Sequence, residues 1–294
     1  MIVKEYGNAD HFIADYETIL LEKEVSSQLL YCAASQSQNS LADTKELFGA
    51  VLDETKVLLL FAISCNLELL LYSPDIHTET EATAALADYL GEKSIIIGGL
   101  NAKQSLCQSF IEHYRKFRKG TFIQKLGTDT MELRQLNEVK PTEGKQRLAE
   151  MEDVKLVADW IIQFQIEAMI DETDYEATVL KASQLVAKQQ VYLYENEDNL
   201  VVSMAAATRK LVHGMGITYI FTPPEHRGQG YAAANIYYLS KQLLEHGYEF
   251  CTLFVDKMNP LTNRAYEKLG YKVIEDNYEY KIIPLESYGQ DTII

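Results

Sequence analysis

The sequence predicts an α/β (α+β) protein built as two domains, and three observations carry that expectation. The chain has 294 residues, more than one domain usually holds. Strand-like runs and helical periodicities alternate along it. One order of elements (strand, acidic turn, strand, strand, helix, strand, helix) reads from Leu47 and again from Val191, on either side of a polar stretch, Glu138–Lys145. Pro141 and Gly144 within that stretch mark it as the linker. No residue-level identity accompanies the repeat of order.

Taken along the chain, Phe12, Tyr16, Ile19 and Leu20 share one face of an opening helix, and Leu29, Leu30 and Cys32 continue a second. After a polar loop, Ser35–Ser40, the runs Leu47–Leu52 and Val57–Ile63 read as strands joined by the turn Asp53–Lys56. Leu67–Tyr72 reads as a third strand, stopped by Ser73-Pro74. A helix around Thr83–Leu90, a strand Ser94–Ile97, a break at Gly98-Gly99 and a helix from Ala102 to about Phe117 follow. An alternating run, Thr130–Leu136, leads into the linker. Beyond it come a strand (Gln146–Ala149), two helices (Asp153–Met169 and Asp174–Lys188) and strands at Val191–Tyr194, Leu200–Thr208 and Gly216–Phe221. A helix Ala232–His246 closed by Gly247, a strand Phe250–Val255, a short helix Leu261–Leu269 closed by Gly270, and a last strand pair around Tyr271–Ile283 complete the pattern.

Composition narrows function. Hydrophobic residues make up 47% of the chain and charged ones 24%, which excludes disorder as the main state. Asp and Glu number 43 against 27 Lys and Arg, a formal charge of −16. That argues against a nucleic-acid or anionic-membrane partner and mildly favours a small or cationic substrate. No run of about 18 apolar residues is present. The opening Met-Ile-Val-Lys-Glu-Tyr lacks a secretory pattern, so a cytoplasmic location is expected. Cys32, Cys65, Cys107 and Cys251 lie far apart in apolar surroundings and share no metal-ligand spacing. They read as buried free thiols, and no metal is expected.

The most informative stretch is Ile220-Phe-Thr-Pro-Pro-Glu-His-Arg-Gly-Gln-Gly-Tyr-Ala232. A strand runs into a Pro-Pro turn, then a glycine loop, then a helix. Gly228 and Gly230 permit a tight turn that points successive N–H groups inward at the helix start, an anion site suited to a pyrophosphate. A Cβ at Gly230 would stand where that anion approaches. The pattern is neither a Walker loop nor the Gly-x-Gly-x-x-Gly dinucleotide fingerprint.

Arg227-Gly-Gln-Gly230-Tyr-Ala232 resembles the Arg/Gln-x-x-Gly-x-Gly/Ala loop of the GNAT superfamily of acyl-CoA N-acyltransferases. Asn259-Pro-Leu-Thr-Asn-Arg-Ala-Tyr266-Glu-Lys-Leu-Gly-Tyr271 resembles that family's downstream Asn…Ala-x-x-Tyr-x-x-x-Gly-Phe/Tyr segment, at the expected separation. The resemblance covers about Gln146 to Ile283. It implies a central mixed, mainly antiparallel sheet flanked by helices, with acetyl-CoA as cosubstrate and an amine as acceptor, cationic if the charge balance is a guide. Under it, residues 145–294 form the N-acetyltransferase domain, 128–144 a connecting strand and linker, and 1–127 a non-catalytic half. That half is either a degenerate GNAT-like copy or an unrelated α/β partner. A homodimer is compatible with all of this.

The resemblance also implies roles. The strand ending at Ile220, Phe221 and Thr222 would pair with the pantetheine arm, and the N–H groups of Arg227, Gly228, Gln229, Gly230, Tyr231 and Ala232 would hold the pyrophosphate. Asn259 would bond the pantetheine, Asn263 could reach phosphate, and Tyr266 would protonate the departing thiolate. Each has a plainer rival. Asn259 before Pro260 is also a helix N-cap, Tyr266 shares a helix's packing period, Asn263 is an ordinary exposed helix position, and His226 a solvated loop residue. No carboxylate occupies the strand before the loop, so His213, Glu225 and a water relay through Tyr219 stay open as the base. The acidic stretch Glu167, Asp171, Glu172, Asp174 and Glu176 could attract a cationic acceptor or be a solvated loop. In the first half Gly98-Gly99 stands in the place of the loop, but Leu100-Asn101-Ala102 lacks the motif. A fold with no turnover, binding acyl-CoA for regulation, is the rival to the enzyme.

Overall fold

The computed structural model describes residues 1–38, 46–168 and 174–284. In the first half the chain forms β1 (Ile2–Tyr6), α1 (Ala9–Glu22), α2 (Glu24–Gln38), β2 (Leu47–Asp53), β3 (Lys56–Ile63) and β4 (Glu68–Tyr72). It continues with α3 (Glu79–Glu92), β5 (Gly99–Ala102), α4 (Gln104–Tyr114) and β6 (Gly120–Leu133). The second half forms β7 (Lys145–Leu148), α5 (Val154–Glu167), α6 (Tyr175–Ala187), β8 (Val191–Glu195), β9 (Val201–Lys210) and β10 (Gly214–Phe221). It closes with α7 (Tyr231–Glu245), β11 (Phe250–Asp256), α8 (Pro260–Leu269) and β12 (Lys272–Pro284). Two compact units result, one of Met1–Gly127 with the C-terminal stretch from Asp276, the other of Thr128–Glu275.

In the first unit β1, β2, β3 and β4 pair antiparallel in sequence, β4 runs parallel to β5, and β5 pairs antiparallel with Tyr278–Lys281 of β12. β3 is apolar at every position from Val57 because both faces of the sheet are covered. Leu59, Phe61 and Ile63 pack toward α3 and α4, while Leu60 and Ala62 pack against Phe12, Tyr16 and Leu20 of α1. α1 starts where the Asn8 side chain accepts the His11 N–H at 3.0 Å, one of the orphan donors of a helix start.

The second unit repeats the plan. β7, β8, β9 and β10 pair antiparallel, β10 runs parallel to β11, and β11 pairs antiparallel with Thr128–Leu133 of β6. Met204 and Ala206 of β9 face Val157, Trp160 and Ile161 of α5; Ala205 and Ala207 face Ile236 and Leu239 of α7. The sheet is therefore mixed and mainly antiparallel, with helices on both faces.

Several expectations change. β1 escapes the sequence reading because only Tyr6 of its five residues is buried, leaving no apolar alternation. Ser94–Ile97 is not a strand; β5 begins at Gly99, where a Cβ would press within 3.2 Å of the Tyr280 carbonyl of β12. Of Thr130–Leu136 only Thr130–Leu133 is strand, the tail of a 14-residue one, and the final strand pair is one strand, β12. α2 runs through Gln38, so Ser35–Gln38 are helical; residues 39 and 40 lie outside the described residues, as does Met169. The stretch from Asp276, expected to end the second domain, supplies the closing strand of the first unit. The segment 128–144, expected to connect the domains, is built into the second unit. Cys65 is exposed and Cys32 half-buried; Cys107 and Cys251 alone are buried, and burial pushes both thiols up to about 12. Among the described residues no helix is long and apolar enough to cross a membrane, and no three His, Cys, Asp or Glu side chains cluster as metal ligands would.

Candidate functional site

β10 and β11 make a fork. Among the described residues their parallel pairing stops at Gly216 and Thr252. Beyond that point β10 continues along β9 as far as Phe221, and β11 continues along β6 as far as Asp256. From Ile217 and Leu253 onward the two facing edges therefore carry backbone N–H and C=O groups without each other as partners, the condition that admits an extended amide chain. The cause is local. Between Thr218 and Phe221 β10 holds one residue more than the β9 segment opposite, Met204–Ala206, and Tyr219 takes φ 49° to accommodate it. Such a bulge bends its strand away from its neighbour.

Side chains on the fork's β10 arm are packed while its backbone edge stays open. Phe221 is buried against Trp160, ring centroids 5.8 Å apart, and Ile220 is half-buried beside the α7 core. The Thr222 hydroxyl donates to Ser203 Oγ at 3.1 Å, and Ser203 donates in turn to the Phe221 carbonyl at 3.2 Å. Tyr219 lies against Phe164 of α5, with the Lys181 ammonium 5.0 Å from its ring centroid.

The arm leads into the glycine loop through a 3₁₀ turn, Pro224–His226. Gly228 has φ 77° and Gly230 φ 85°, so both occupy the left-handed region that favours glycine. Gly230 is the N-cap of the 15-residue α7, whose first N–H groups have no partner within the helix and sit at the positive end of its dipole. Two details differ from expectation. The Arg227 N–H donates to the Pro224 carbonyl at 3.3 Å, so the run of N–H groups available to an anion begins at Gly228. A Cβ on Gly230 would also fall 2.5 Å from Thr142 Oγ1, a contact that no sequence pattern foretells.

The Arg227 guanidinium is engaged within the unit. Its Nε donates to the Thr222 carbonyl at 2.8 Å, one terminal nitrogen bonds both Glu167 oxygens at 2.6 and 2.9 Å, and its Cζ lies 5.7 Å from the Phe221 ring centroid. Arg227 thus ties the end of α5 to the loop.

At the other arm, Asn259 precedes Pro260 at the start of α8, exposed and making no side-chain cap bond. The capping role is not what its amide does here. Asn263 turns toward β6, its Nδ2 donating to Asp129 Oδ2 at 3.0 Å, while Lys257 pairs with the other Asp129 oxygen at 2.8 Å. Tyr266 is 3% exposed, packed with Leu253, Val255 and Tyr271, and desolvation holds its phenol above the ordinary tyrosine range.

Residues 155–271 match the model of the Acetyltransferase (GNAT) family. That span, within the second unit, is a GNAT domain. Solved structures similar to the chain include a Drosophila protein at TM-score 0.65 and 13% identity, covering 96% of this chain and 99% of that one. A GCN5-related N-acetyltransferase from Sphaerobacter thermophilus aligns at TM-score 0.61 and 11% identity, over 97% and 96% of the two chains. An acetyltransferase of the GNAT family from Colwellia psychrerythraea aligns at 0.55 and 10%, over 96% and 100%. At these identities the likeness is one of fold. Comparison with curated proteins finds no match.

Within the GNAT domain the three base candidates separate by position. His213 lies three residues before Gly216, about 10 Å away on the closed side of the fork. Glu225 is exposed in the turn beyond Phe221, about 16 Å or more from the fork's vertex, at the anion end. Tyr219 alone sits on the open arm. Two members of the acidic stretch have structural roles: Glu167 holds Arg227, and Asp174 caps α6 by accepting from the Glu176 and Ala177 N–H groups at 2.9 and 3.2 Å. Asp171 and Glu172 lie outside the described residues. Thr142 and Tyr194 are the contributors the sequence reading missed, because Pro141 and Gly144 look like linker punctuation. Tyr194 Oη donates to the Thr142 carbonyl at 2.6 Å, and Thr142 Oγ1 donates to the Gln229 carbonyl at 2.9 Å.

In the first unit the counterpart of the loop is the β4–α3 connection, not Gly98-Gly99, which opens β5. That connection has no glycine. Asp75 accepts the His77 N–H at 3.0 Å and the Lys56 ammonium at 3.0 Å. Glu79, buried in the first turn of α3, accepts from Lys103 at 3.1 Å and Ser105 at 2.5 Å.

Proposed function

We propose that the protein is an N-acetyltransferase that moves the acetyl group of acetyl-CoA to a primary amine by direct attack. The observation that carries this is the β10–β11 fork running into two left-handed glycines at the start of α7. An extended pantetheine arm would pair with the open edge at Ile220–Thr222, and the N–H groups from Gly228 to Ala232 would take the pyrophosphate. Asn259, exposed at the other arm with no cap bond, is available to the arm's amides, whereas Asn263 is committed to Asp129.

The amine lone pair forms the new C–N bond as the C–S bond breaks, and the amine gives up a proton. An alkylammonium of pKa about 10.4 must lose one first, which costs about 4–5 kcal/mol at neutral pH without help. Tyr219, on the open arm, would relay that proton through water. The leaving thiolate takes the Tyr266 proton; burial keeps that phenol protonated, as a donor must be. The bulge, the loop and the fork would serve an acyl-CoA-binding protein without turnover equally well, and the absence of a carboxylate on Gly214–Phe221 favours that second reading. Release of CoA thiol from acetyl-CoA across a panel of amines separates the two. Release above the hydrolysis rate supports the enzyme, and CoA binding without release supports the binder. Absence of any CoA binding would remove both.

A further inference from the structure

We infer that Thr142 is a positioning residue for the glycine loop: it holds the Gln229 carbonyl and so aims the Gly230 N–H at the anion. This rests on the reading of that loop as a pyrophosphate site. The peptide unit is planar and trans, so its carbonyl and its N–H point in opposite directions. Thr142 Oγ1 donates to the Gln229 carbonyl at 2.9 Å. The N–H of the same peptide unit, that of Gly230, must then point away from Thr142. Glycines at 228 and 230 make this turn accessible, but the same freedom leaves the peptide able to flip. The hydroxyl selects one of its two orientations.

Thr142 is itself held. Its carbonyl accepts the Tyr194 phenol at 2.6 Å, and Tyr194 is fully buried, stacked on Tyr238 at 6.1 Å and tilted against Tyr231 at 6.3 Å. Gly144, at φ 147°, lets the strand entry pass over that ring, since a Cβ there would collide with the Glu195 carbonyl and the Tyr194 ring. Gly230 completes the fit from the other side, its missing Cβ leaving room for Thr142 Oγ1. The segment 141–144 is thus a strap, fixed to the core by one phenol and to the loop by one hydroxyl.

The test uses the intact chain and two readouts. Amide hydrogen exchange over Gly228–Tyr231 without ligand reports the loop itself, and calorimetry with CoA reports its use. Thr142→Val, which keeps the shape and removes the donor, is expected to speed loop exchange about 10-fold and weaken CoA about 10- to 30-fold. Thr142→Ser, which keeps the hydroxyl, is expected to stay within about twofold of the parent in both. Thr142→Ala serves if the valine variant does not fold. Unchanged exchange in the valine or alanine variant, or a serine variant that behaves like valine, overturns the inference. If the parent binds no CoA, the site reading fails on its own, and the exchange comparison still decides whether Thr142 orders the loop.

Discussion

Gly228 and Gly230 look equivalent in the sequence, yet the structure makes them unequal, and alanine substitution measures the difference. Both have positive φ, so a Cβ at either costs about 1–2 kcal/mol in backbone strain. At Gly228 a Cβ would meet nothing within 4 Å. At Gly230 it would lie 2.5 Å from Thr142 Oγ1, and the hydroxyl must rotate out of its bond to Gln229. A net hydrogen bond is worth about 1 kcal/mol, so Gly230→Ala should cost about 2–3 kcal/mol against about 1–2 for Gly228→Ala. Removing the hydroxyl first should erase the excess. In Thr142→Ala the remaining Cβ would sit 3.7 Å from the new one, an ordinary contact. The double variant should then be about 1 kcal/mol less destabilised than the two single effects summed.

The chain has one tryptophan, and Trp160 lies in the core of the GNAT domain beside Phe221. Urea unfolding followed by its emission therefore reports the domain that carries the loop. Equal losses at the two glycines, or a strictly additive double variant, would refute the account of why position 230 is glycine.

Other outcomes follow from the same geometry. Tyr266→Phe should lower kcat by about 10- to 1,000-fold while CoA affinity changes little, and a kcat within twofold of the parent would leave Tyr266 a packing residue. Because burial raises the Tyr266 pKa, wild-type kcat should show no tyrosine-dependent fall up to about pH 9; a fall that disappears in the phenylalanine variant would contradict this. Arg147 bonds Asp153 at 2.6 and 3.0 Å and holds its carboxyl below the ordinary range. A carboxyl depressed in the folded state stabilises fully above its unfolded value of about 3.9 and loses that contribution as pH falls through the folded value. Trp160 emission should thus show the domain weakening below about pH 4, and Asp153→Asn should flatten that limb. Calorimetry on the intact chain should give one CoA per chain; two equivalent sites would mean that the carboxylates around α3 do not exclude the ligand.

The parts of this fold legible in the sequence are those with a local physical signature. Val57–Ile63 announces a buried strand because it is apolar without interruption, Phe250–Val255 does so with only Thr252 breaking the run, and Gly247 and Gly270 mark helix ends through positive φ at 96° and 112°. The loop was legible because glycine takes the positive φ at 228 and 230 without the cost a Cβ adds. What escaped depends on distant partners. β1 is nearly all exposed and is a strand because β2 offers it a register from Ile2–Leu52 to Tyr6–Phe48. The closing strands are ambiguous in the same way: nothing within Tyr278–Lys281 says that its partner is β5, 176 residues earlier at the Tyr278–Ala102 pair. What the Arg227 side chain does depends on a distant partner too. Glu167 lies 60 residues away in sequence, and only folding brings it to the guanidinium.

The two units show how one plan of strands can carry opposite chemistry. Each runs antiparallel strands into a parallel pair, and each starts a helix just past the strand that pairs in parallel. In the GNAT domain the helix start is preceded by glycines, its first N–H groups have no partner within the helix, Glu167 is bound to Arg227, and Glu225 is exposed in the turn before the loop. In the first unit the chain supplies its own anions at the corresponding turn: Asp75 takes the His77 N–H, and Glu79 and Glu81 stand in the first turn of α3. A helix start already lined by three carboxylates repels a pyrophosphate by the same dipole logic that would otherwise attract it. Glu79 further draws Lys103 and Ser105 of the next helix start onto itself, occupying the donors an incoming anion would need. On the proposed reading, likeness of topology would not carry the site from one unit to the other, because the residues that cap the helix would decide it.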